Sequence, residues 1–494
     1  MNQPTLEMLE SAAHRGDGAA AVALGHRLIS EHKLGTPLHE RGLGLIERLA
    51  ETGSAEAQWM LGSYYLHMFS RGRSHEHARK WLERAAANGF PPAFDRLADM
   101  KLSGLAGDES IDDALALQRT LADQGWQRAA WEVGYLLDQA GASDLDAASA
   151  FVRACALGYP PAYWSLGVRF ATGAGVPRDV AFGRALLRRA ADAGFIGAAE
   201  AKQALTPEGA GDQVWYDALK TNLHAVHALV ARLGQGSPGD GADAALVVRR
   251  LEAHLVSIGH PAIRLDERGR ARAVAGGTGP ESAQAHAWTW LSQRPRVAVC
   301  PRFASAEECA HLINKVAGAL KPASDYRRGN NASEAGELEY FNGRGFPAGP
   351  LDTDSVTRML ERRLSAMARW PIGRFEPCSF VSYRPGEEYK PHVDYFTDEQ
   401  MAANERFRHD FGGQRIATFL LYLRAPLEGG ETSYLDAGVN VVGETGTGVL
   451  HYNVTPDGER DRCSVHSGKP IVRGEKWLWR STLRQHSLYE RPAP

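Results

Sequence analysis

Residues 382–396 read SYRPGEEYKPHVDYF, and this stretch decides how the C-terminal part of the chain is interpreted. His392 and Asp394 stand two positions apart within it. On a β-strand such residues face the same side, so both side chains can reach one metal ion. With 18 histidines and 59 acidic residues in the chain, chance alone gives about two pairs of this kind. The pair therefore needs support from the surrounding sequence.

A third candidate ligand follows in RDRCSVHSGKPIVRGEKWLW, residues 460–479, where His466 precedes Lys476 by ten positions. Two histidines and one carboxylate form the facial triad of non-haem Fe(II) oxygenases, which leaves coordination positions open. We interpret His392, Asp394 and His466 as such a triad. A cation at Lys476 can pair with the distal carboxylate of a dicarboxylic cosubstrate.

From about residue 288 onward, short β-rich segments alternate with glycine and proline, which predicts an antiparallel barrel or sandwich. Two helices are predicted before most of these strands. The first begins at a capping box formed by Ser305 and Glu308, and the second covers 355–370. The predicted strands are SFVSY (379–383), RIATFLLYL (415–423), GVLHYNV (448–454) and KWLWRSTL (476–483).

Four segments, in this order, resemble the prolyl 4-hydroxylase family of 2-oxoglutarate- and Fe(II)-dependent dioxygenases. VAVCPRFASAEECAHLI is similar to the family's opening strand and helix, and SYRPGEEYKPHVDYF to its His-x-Asp segment. RIATFLLYLRAPLEGGETSY resembles the next strand with its Gly-Gly-Glu-Thr turn, and PDGERDRCSVHSGKPIVRGEKW the closing His-x-Gly and Gly-x-Lys-Trp elements. The resemblance implies a double-stranded β-helix (jelly-roll) oxygenase domain with flanking helices.

The resemblance also implies roles for individual residues. His392, Asp394 and His466 become the ligands of Fe(II), and Lys476 binds the C5 carboxylate of 2-oxoglutarate. These four residues are the predicted catalytic group. O2 is implied as the second cosubstrate, and ascorbate as the reductant.

The cosubstrate pocket is predicted to contain three further side chains. Tyr383 matches a tyrosine that lines this pocket in the family. Tyr422 and Thr418 lie on one face of the same predicted strand, and Tyr422 is placed to hydrogen-bond the carboxylate that Lys476 binds.

The first 200 residues contain a repeated Gly-x3-Ala step, whose glycines stand 33 to 37 residues apart. Each unit has the periodicity of two amphipathic helices, and a lone pair cannot bury its apolar face, so the units must stack into a solenoid. The pattern resembles the Sel1-like repeat, a relative of the tetratricopeptide repeat, with LGSY at 61–64 and AANG at 86–89. That resemblance implies a surface that holds a protein partner. The six steps begin at Gly16, Gly53, Gly89, Gly125, Gly158 and Gly194.

The chain is therefore predicted to be multidomain. An all-α solenoid of Sel1-like helix pairs is expected over 1–205 and the oxygenase domain over 288–494. A helical bridge is expected over 206–287, because 213–234 and 244–259 have helical periodicity.

Composition and charge argue against several other classes of protein. The 494 residues carry a net charge of −3 without a basic run, which argues against nucleic-acid binding. No apolar stretch is long enough for a transmembrane helix, and MNQPTLEMLESAAHRGDG lacks the basic start and apolar core of a secretory signal. Five scattered cysteines fit reduced thiols, so we expect a cytoplasmic protein without a membrane partner.

Three functions follow from these observations. The leading one is hydroxylation of a C–H bond in a prolyl residue of a protein or peptide that the repeats recruit. The first alternative keeps the iron chemistry and takes a free amino acid or small metabolite as substrate, because the fold does not determine the substrate. The second alternative is a repeat-based adaptor with an inactive barrel.

Overall fold

The computed structural model describes residues 4–32, 35–66, 74–105, 107–142, 144–172, 180–198, 264–265, 271–272, 287–323, 341–349, 352–403 and 412–488. No helix among them is both long and apolar enough to cross a membrane. The predicted helices at 213–234 and 244–259 lie outside these residues. Within the predicted bridge, β1 (Arg264–Leu265) pairs antiparallel with β2 (Ala271–Arg272). The domain boundaries stay predictions.

The N-terminal part consists of helices joined by short turns. Side chains at the helix starts accept hydrogen bonds from free backbone N–H groups, as Asp17 does from Ala20 and Ser110 from Asp113. All six repeat glycines adopt φ between +75° and +100°, a conformation that other residues rarely take. The helices are α1 (Leu6–His14), α2 (Gly18–Glu31), α3 (Pro37–Glu51), α4 (Ala55–Leu66), α5 (His75–Ala87), α6 (Pro91–Ser103), α7 (Ile111–Asp123), α8 (Gln127–Gln139), α9 (Asp144–Ala156), α10 (Pro160–Thr172) and α11 (Val180–Asp192).

Each helix of the N-terminal part packs against the next, and small residues set the closest approaches. A Cβ atom on Gly62 of α4 would lie 2.7 Å from Cγ of Leu82 on α5. A Cβ atom on Gly134 of α8 would lie equally close, 2.7 Å, to the ring of Phe151 on α9. The glycine in the Leu-Gly element thus lets the paired helices touch, and the predicted Sel1-like solenoid is confirmed.

The C-terminal part is mainly antiparallel β-structure, with three described helices: α12 (Ala306–Val316), α13 (Ser355–Ala368) and α14 (Asp398–Ala403). The predicted capping box at the start of α12 is present, with Ser305 and Glu308 bonding each other's backbone N–H groups. The strands are β3 (Thr289–Gln293), β4 (Arg296–Cys300), β5 (Lys321–Pro322), β6 (Arg344–Pro347), β7 (Ser379–Tyr383), β8 (Tyr389–His392), β9 (Arg415–Arg424), β10 (Glu428–Gly429), β11 (Thr432–Tyr434), β12 (Val439–Val441), β13 (Gly448–Tyr452), β14 (His466–Gly468), β15 (Ile471–Arg473) and β16 (Lys476–Arg484).

Two antiparallel sheets face each other in this part of the chain. The large sheet has the strand order β3-β4-β13-β9-β16-β7-β6-β5, and the small sheet has the order β12-β11-β14-β8. Side chains bridge them: the hydroxyl of Tyr422 on β9 lies 2.7 Å from Oγ1 of Thr432 on β11. The hydroxyl of Tyr434 on β11 lies 2.9 Å from Nδ1 of His451 on β13. This arrangement confirms the predicted jelly roll and leaves an interior between the sheets.

The two faces of the large sheet bury different sets of side chains. On β9, Phe419 and Leu421 point outward into the apolar core beneath α12 and α13. Leu420 and Tyr422 point inward into a separate apolar cluster between the sheets. This alternation follows the two-residue period of a strand, and it turns Leu420 and Tyr422 toward the interior between the sheets.

The solenoid packs directly onto the outer face of the oxygenase domain. Helix α13 lies against α6 and α8, and α12 lies against α10. A single cluster of buried apolar residues continues from α6–α11 into α12, α13 and the outer face of the sheet. Trp131 on α8 stacks on the ring of His311 on α12, with centroids 4.5 Å apart and planes 4° apart.

Buried polar side chains reinforce this contact. The guanidinium of Arg96 donates to both Oγ1 and the carbonyl of Thr353 at 2.8 Å. The hydroxyl of Tyr135 donates to Glu308 at 2.7 Å, and Arg363 pairs with the same carboxylate. Since these buried groups satisfy one another across the contact, the repeats and the oxygenase domain form one packed unit.

Candidate metal centre

Two adjacent strands of the small sheet bring the three predicted metal ligands together. His392 ends β8, and the register of the sheet places His466, the first residue of β14, directly opposite it. Asp394 follows two positions after His392. The ligand atoms of the three side chains all lie within 4.8 Å of one another. Nε2 of His392 is 3.6 Å from Oδ1 of Asp394, and Nε2 of His466 is 3.8 Å from Oδ2.

Both imidazoles are oriented by their own strands. Nδ1 of His392 lies 2.8 Å from the carbonyl of Lys390, and Nδ1 of His466 lies 3.0 Å from the carbonyl of Ser464. A carbonyl oxygen only accepts hydrogen bonds, so each Nδ1 carries the proton and each Nε2 presents its lone pair to the site. Metal-binding histidines commonly have this second hydrogen bond.

The protonation states of the three side chains favour the binding of a cation. Burial lowers the pKa of His392, and burial with the neighbouring imidazoles lowers the pKa of His466 well below its usual value. Burial acts to raise the pKa of Asp394, but His466 and the hydrogen bond from His451 outweigh it and hold this pKa well below the usual range. The centre therefore contains two neutral imidazoles and one carboxylate.

Lys476 opens β16 and points between the sheets, where its side chain is buried. Its ammonium donates to the carbonyl of Gly430 at 2.7 Å and to Oγ1 of Thr432 at 3.1 Å. Burial lowers the pKa of Lys476 to about 7, and Glu431 counters this only in part. A buried ammonium bonded to neutral oxygens is stabilised by an anion, so this pocket suits a carboxylate.

The three other predicted pocket residues occupy different positions. Tyr383 lies directly opposite Lys476 in the pairing of β7 with β16. Tyr422 bonds Thr432, the same hydroxyl that Lys476 contacts. Thr418 lies four residues away from Tyr422 along β9, and its Oγ1 accepts a hydrogen bond from Asn453. The fold thus brings Tyr383 and Tyr422 to Lys476, but not Thr418.

One residue of the centre was not predicted from the sequence. His451 lies in the middle of β13 with its side chain fully buried, and its Nε2 is 3.3 Å from Oδ2 of Asp394. The only available signal in the sequence was a histidine within the predicted strand GVLHYNV, which is mostly apolar. Its position on the inner face depends on the register with β9, where it lies opposite Thr418.

The donor set fits the metal that the sequence predicts. Two neutral imidazole nitrogens and one carboxylate oxygen on adjacent strands are the ligands of a facial triad, which leaves positions for a bidentate cosubstrate and for O2. The buried ammonium of Lys476 supplies a partner for the far carboxylate of that cosubstrate. His392, Asp394 and His466 would hold Fe(II), and Lys476 would hold 2-oxoglutarate.

Comparisons with known proteins agree with this geometry. The family model of the 2OG-Fe(II) oxygenase superfamily matches residues 378–481, a range that contains the triad and Lys476. The Sel1 repeat model matches 55–90 and 160–195. Among curated relatives, prolyl 4-hydroxylase 5 of Arabidopsis thaliana is 30% identical over 220 residues, which are 40% of this chain and 72% of that protein. Probable prolyl 4-hydroxylase 9 of the same plant is 30% identical over 231 residues, covering 44% and 77%.

Two solved structures also align with part of the chain. A viral collagen prolyl hydroxylase from Paramecium Bursaria Chlorella virus-1 is 21% identical and aligns with 38% of this chain and 95% of its own, with a TM-score of 0.28. A Sel1 repeat protein from Oxalobacter formigenes is 17% identical and aligns with 44% of this chain and 99% of its own, with a TM-score of 0.34.

Proposed function

Because the chain belongs to the prolyl 4-hydroxylase family of 2-oxoglutarate- and Fe(II)-dependent dioxygenases, we propose that it hydroxylates a prolyl residue of a protein or peptide. The observation that carries this proposal is the grouping of His392, Asp394 and His466 within 4.8 Å. The names of its relatives support proline as the target. Ascorbate is the proposed reductant.

The residues of the centre have separate tasks in this reaction. Bound iron, with 2-oxoglutarate and O2, supplies an oxidant strong enough to attack a substrate C–H bond, while 2-oxoglutarate becomes succinate and CO2. His392 and His466 are held with Nε2 toward the centre by their backbone hydrogen bonds. Asp394, ionised at neutral pH, lowers the net charge of the metal site. Lys476 fixes the cosubstrate by its far carboxylate.

The surroundings exclude water from the reaction. Buried apolar side chains on both sheets line the interior, including Leu420, Val449 and Leu478 of the large sheet and Val441 of the small sheet. In such an environment the attraction between the Lys476 ammonium and a carboxylate is far stronger than in water. The side chains of the interior therefore hold the cosubstrate in place.

We also propose that the repeats recruit the protein that carries the target proline. Helices α6, α8 and α10 already pack against the oxygenase domain. The apolar clusters of α1–α4 contain only repeat residues, so this end of the solenoid is the better candidate for a partner. All five cysteines are free thiols, which supports a reducing compartment such as the cytoplasm.

The test is an assay for oxygen transfer. Purified protein with Fe(II), ascorbate and 2-oxoglutarate is incubated with a library of proline-containing peptides and, in parallel, with free amino acids, and mass spectrometry locates any added oxygen atom. We expect it on proline. Oxygen gained only by free amino acids would support the small-metabolite alternative, and absence of succinate with every substrate would support the inactive adaptor.

Variants test the ligand assignment. His392→Ala and Asp394→Ala should each reduce substrate-dependent succinate formation by more than about a hundredfold, because each removes one of three metal ligands. Their thermal unfolding should stay close to that of the wild type. His26→Ala, at an exposed histidine of α2 far from the centre in sequence, is the matched control and should remain fully active toward a short peptide, which needs no recruitment by the repeats. Undiminished succinate release from either ligand variant would contradict the assignment.

A further inference from the structure

His451 adds one residue to the candidate centre beyond the three predicted ligands and Lys476. Its ring is fully buried, and its centroid lies 4.4 Å from that of His466. Both ring nitrogens have partners: Nε2 lies 3.3 Å from Oδ2 of Asp394, and Nδ1 lies 2.9 Å from the hydroxyl of Tyr434. Tyr434 is also fully buried.

The direction of these hydrogen bonds follows from the chemistry of the groups. An ionised carboxylate only accepts, so Nε2 of His451 donates to Asp394. In a neutral imidazole the other nitrogen then accepts, so the hydroxyl of Tyr434 donates to Nδ1. A single tautomer of His451 thus accounts for both of its hydrogen bonds, the one to Asp394 and the one from Tyr434.

This series of hydrogen bonds acts on the carboxylate of Asp394 and not directly on the metal. In the described part of the protein, His451 is the one hydrogen-bond donor to the carboxylate of Asp394, whose side chain is only 10% exposed. With Oδ2 engaged by His451, Oδ1 is left facing Nε2 of His392 at 3.6 Å. A carboxylate held in this way offers one defined oxygen to a metal ion.

The strand that carries His451 is held in place by strands on both of its sides. His451 lies on a strand that is paired on both sides, opposite Thr418 of β9 and Val297 of β4. Asp394, by contrast, follows the end of β8. A side chain on a central strand holds a more precise position than one in a loop, so His451 is placed to orient Asp394 and not the reverse.

We propose that His451, oriented by Tyr434, is a positioning residue that holds Asp394 as a one-oxygen ligand of the metal. The proposal concerns how the centre binds its ion and does not depend on which substrate is hydroxylated. It rests on the metal assignment of the proposed function, so its test measures metal binding in the absence of any peptide.

The first measurement is the affinity of the metal-free protein for Co(II), by calorimetry and by the visible absorption of the bound ion. His451→Phe keeps an aromatic ring and removes the donor, and we expect Co(II) affinity to fall about 10- to 100-fold, since hydrogen-bond partners of ligands have effects of this size. The absorption spectrum should change as well, because the carboxylate is free to bind through either or both oxygens.

Two further variants separate positioning from packing. His451→Gln places an amide N–H close to the position of Nε2 and should recover most of the Co(II) affinity and the wild-type spectrum. Tyr434→Phe keeps the ring and removes only the hydroxyl, so it should weaken Co(II) binding by a smaller factor. His26→Ala is again the control and should match the wild type.

The outcomes are distinct. Wild-type Co(II) affinity and spectrum in His451→Phe would overturn the proposal, as would a His451→Gln variant that is folded and as weak as His451→Phe. If wild-type protein binds no Co(II), the metal assignment itself is wrong. If Co(II) binding behaves as expected but no peptide is hydroxylated, the positioning role stands and the proposed substrate fails.

Discussion

Lys476 combines burial with a positive charge that no acidic side chain among the described residues neutralises directly, and these are the properties of an anion-binding residue. Its ammonium has two neutral acceptors, Gly430 and Thr432, and a face of the Tyr422 ring 4.9 Å away. Burial lowers its pKa to about 7, so near neutral pH the free protein exists partly with a neutral amine. The arriving carboxylate supplies the charge that the pocket lacks and favours the protonated form.

This predicts a pH dependence for the cosubstrate. As the pH rises through about 7, Lys476 loses its proton in the free protein, and only the protonated fraction binds a carboxylate well. The apparent Kd for 2-oxoglutarate should therefore increase by about tenfold between about pH 6 and pH 8, in proportion to the lost fraction. Calorimetric titration of the metal-loaded protein without O2 measures it.

The matched control is Lys476→Arg. A guanidinium stays protonated throughout this pH range, so the Kd of the variant should be nearly independent of pH even if it is weaker overall. A wild-type Kd that does not change with pH, or a variant that shows the same slope, would contradict the assignment of the carboxylate to Lys476.

Some of these residues could be predicted from the sequence and others could not. His392, Asp394 and His466 belong to local patterns, and strand periodicity alone puts the first two on one side. Thr418 was chosen because it shares a strand face with Tyr422, but four residues along a strand separate their Cα atoms by roughly 13 Å. His451 was missed because its contact with Asp394 depends on sheet register, which no local pattern encodes.

At the scale of elements, α13 joins the two parts of the chain. Ser355 at its start donates a hydrogen bond to Glu132 of α8, and Gln118 of α7 donates to the same carboxylate at 2.8 Å. Burial raises the pKa of Glu132 to about 8, although Arg128 acts in the opposite direction. Near neutral pH the folded protein thus holds a proton at Glu132 that an exposed glutamate would release.

Stability should respond to this proton. The folded-state pKa of Glu132 lies above the unfolded value of about 4.5, so stability is lost as the pH rises from about 5 to about 8. Glu132→Gln keeps an acceptor for Ser355 and Gln118 but cannot titrate. Its Tm should fall less over this range and exceed that of the wild type at pH 8 by at least about 2 °C, as thermal unfolding would show.

An exposed glutamate provides the comparison. Glu51→Gln, at the end of α3, should leave the pH dependence of the wild-type Tm unchanged. If Glu132→Gln and the wild type lose stability in parallel between pH 5 and pH 8, the proton at Glu132 does not contribute to the contact of α13 with the solenoid.

The sequence predicted the bounds of the long strands well, but it did not predict the contact between the solenoid and the oxygenase domain. The predicted strands 415–423 and 476–483 differ by one residue from β9 and β16, because long apolar runs with strand periodicity leave little choice. The meeting of α8 with α12 was not predicted. Both helices are amphipathic, and periodicity identifies an apolar face without saying which other face covers it.

At the scale of the whole molecule, the described residues of α6–α11 and of the oxygenase domain form one packed unit, with their apolar side chains in a single buried cluster. We therefore expect two truncations to differ sharply. Removal of residues 1–53 takes away α1–α3 and should preserve turnover of a short peptide. Removal of residues 1–198 uncovers the outer faces of α12 and α13 and should yield aggregated, inactive protein.

Size-exclusion chromatography and succinate release with a short peptide measure both truncations. If the proposal for the repeats is right, loss of residues 1–53 should also raise the KM for the intact protein target by about tenfold while the KM for the short peptide is unchanged. A soluble and active oxygenase fragment without residues 1–198 would contradict the expected dependence on the solenoid.

The shared core has a consequence for how such a protein diversifies. In a stack of hairpins each unit touches only its neighbours, so units can be gained or lost at an unattached end without disturbing the others. Here the later hairpins pack against the oxygenase domain through buried contacts, such as Trp131 with His311 and Arg96 with Thr353. A change in the number or order of these hairpins would therefore disrupt that contact. Under the recruitment role proposed for the repeats, a new target would therefore be acquired by lengthening, shortening or exchanging the first few hairpins, and the residues of the metal centre would not need to change.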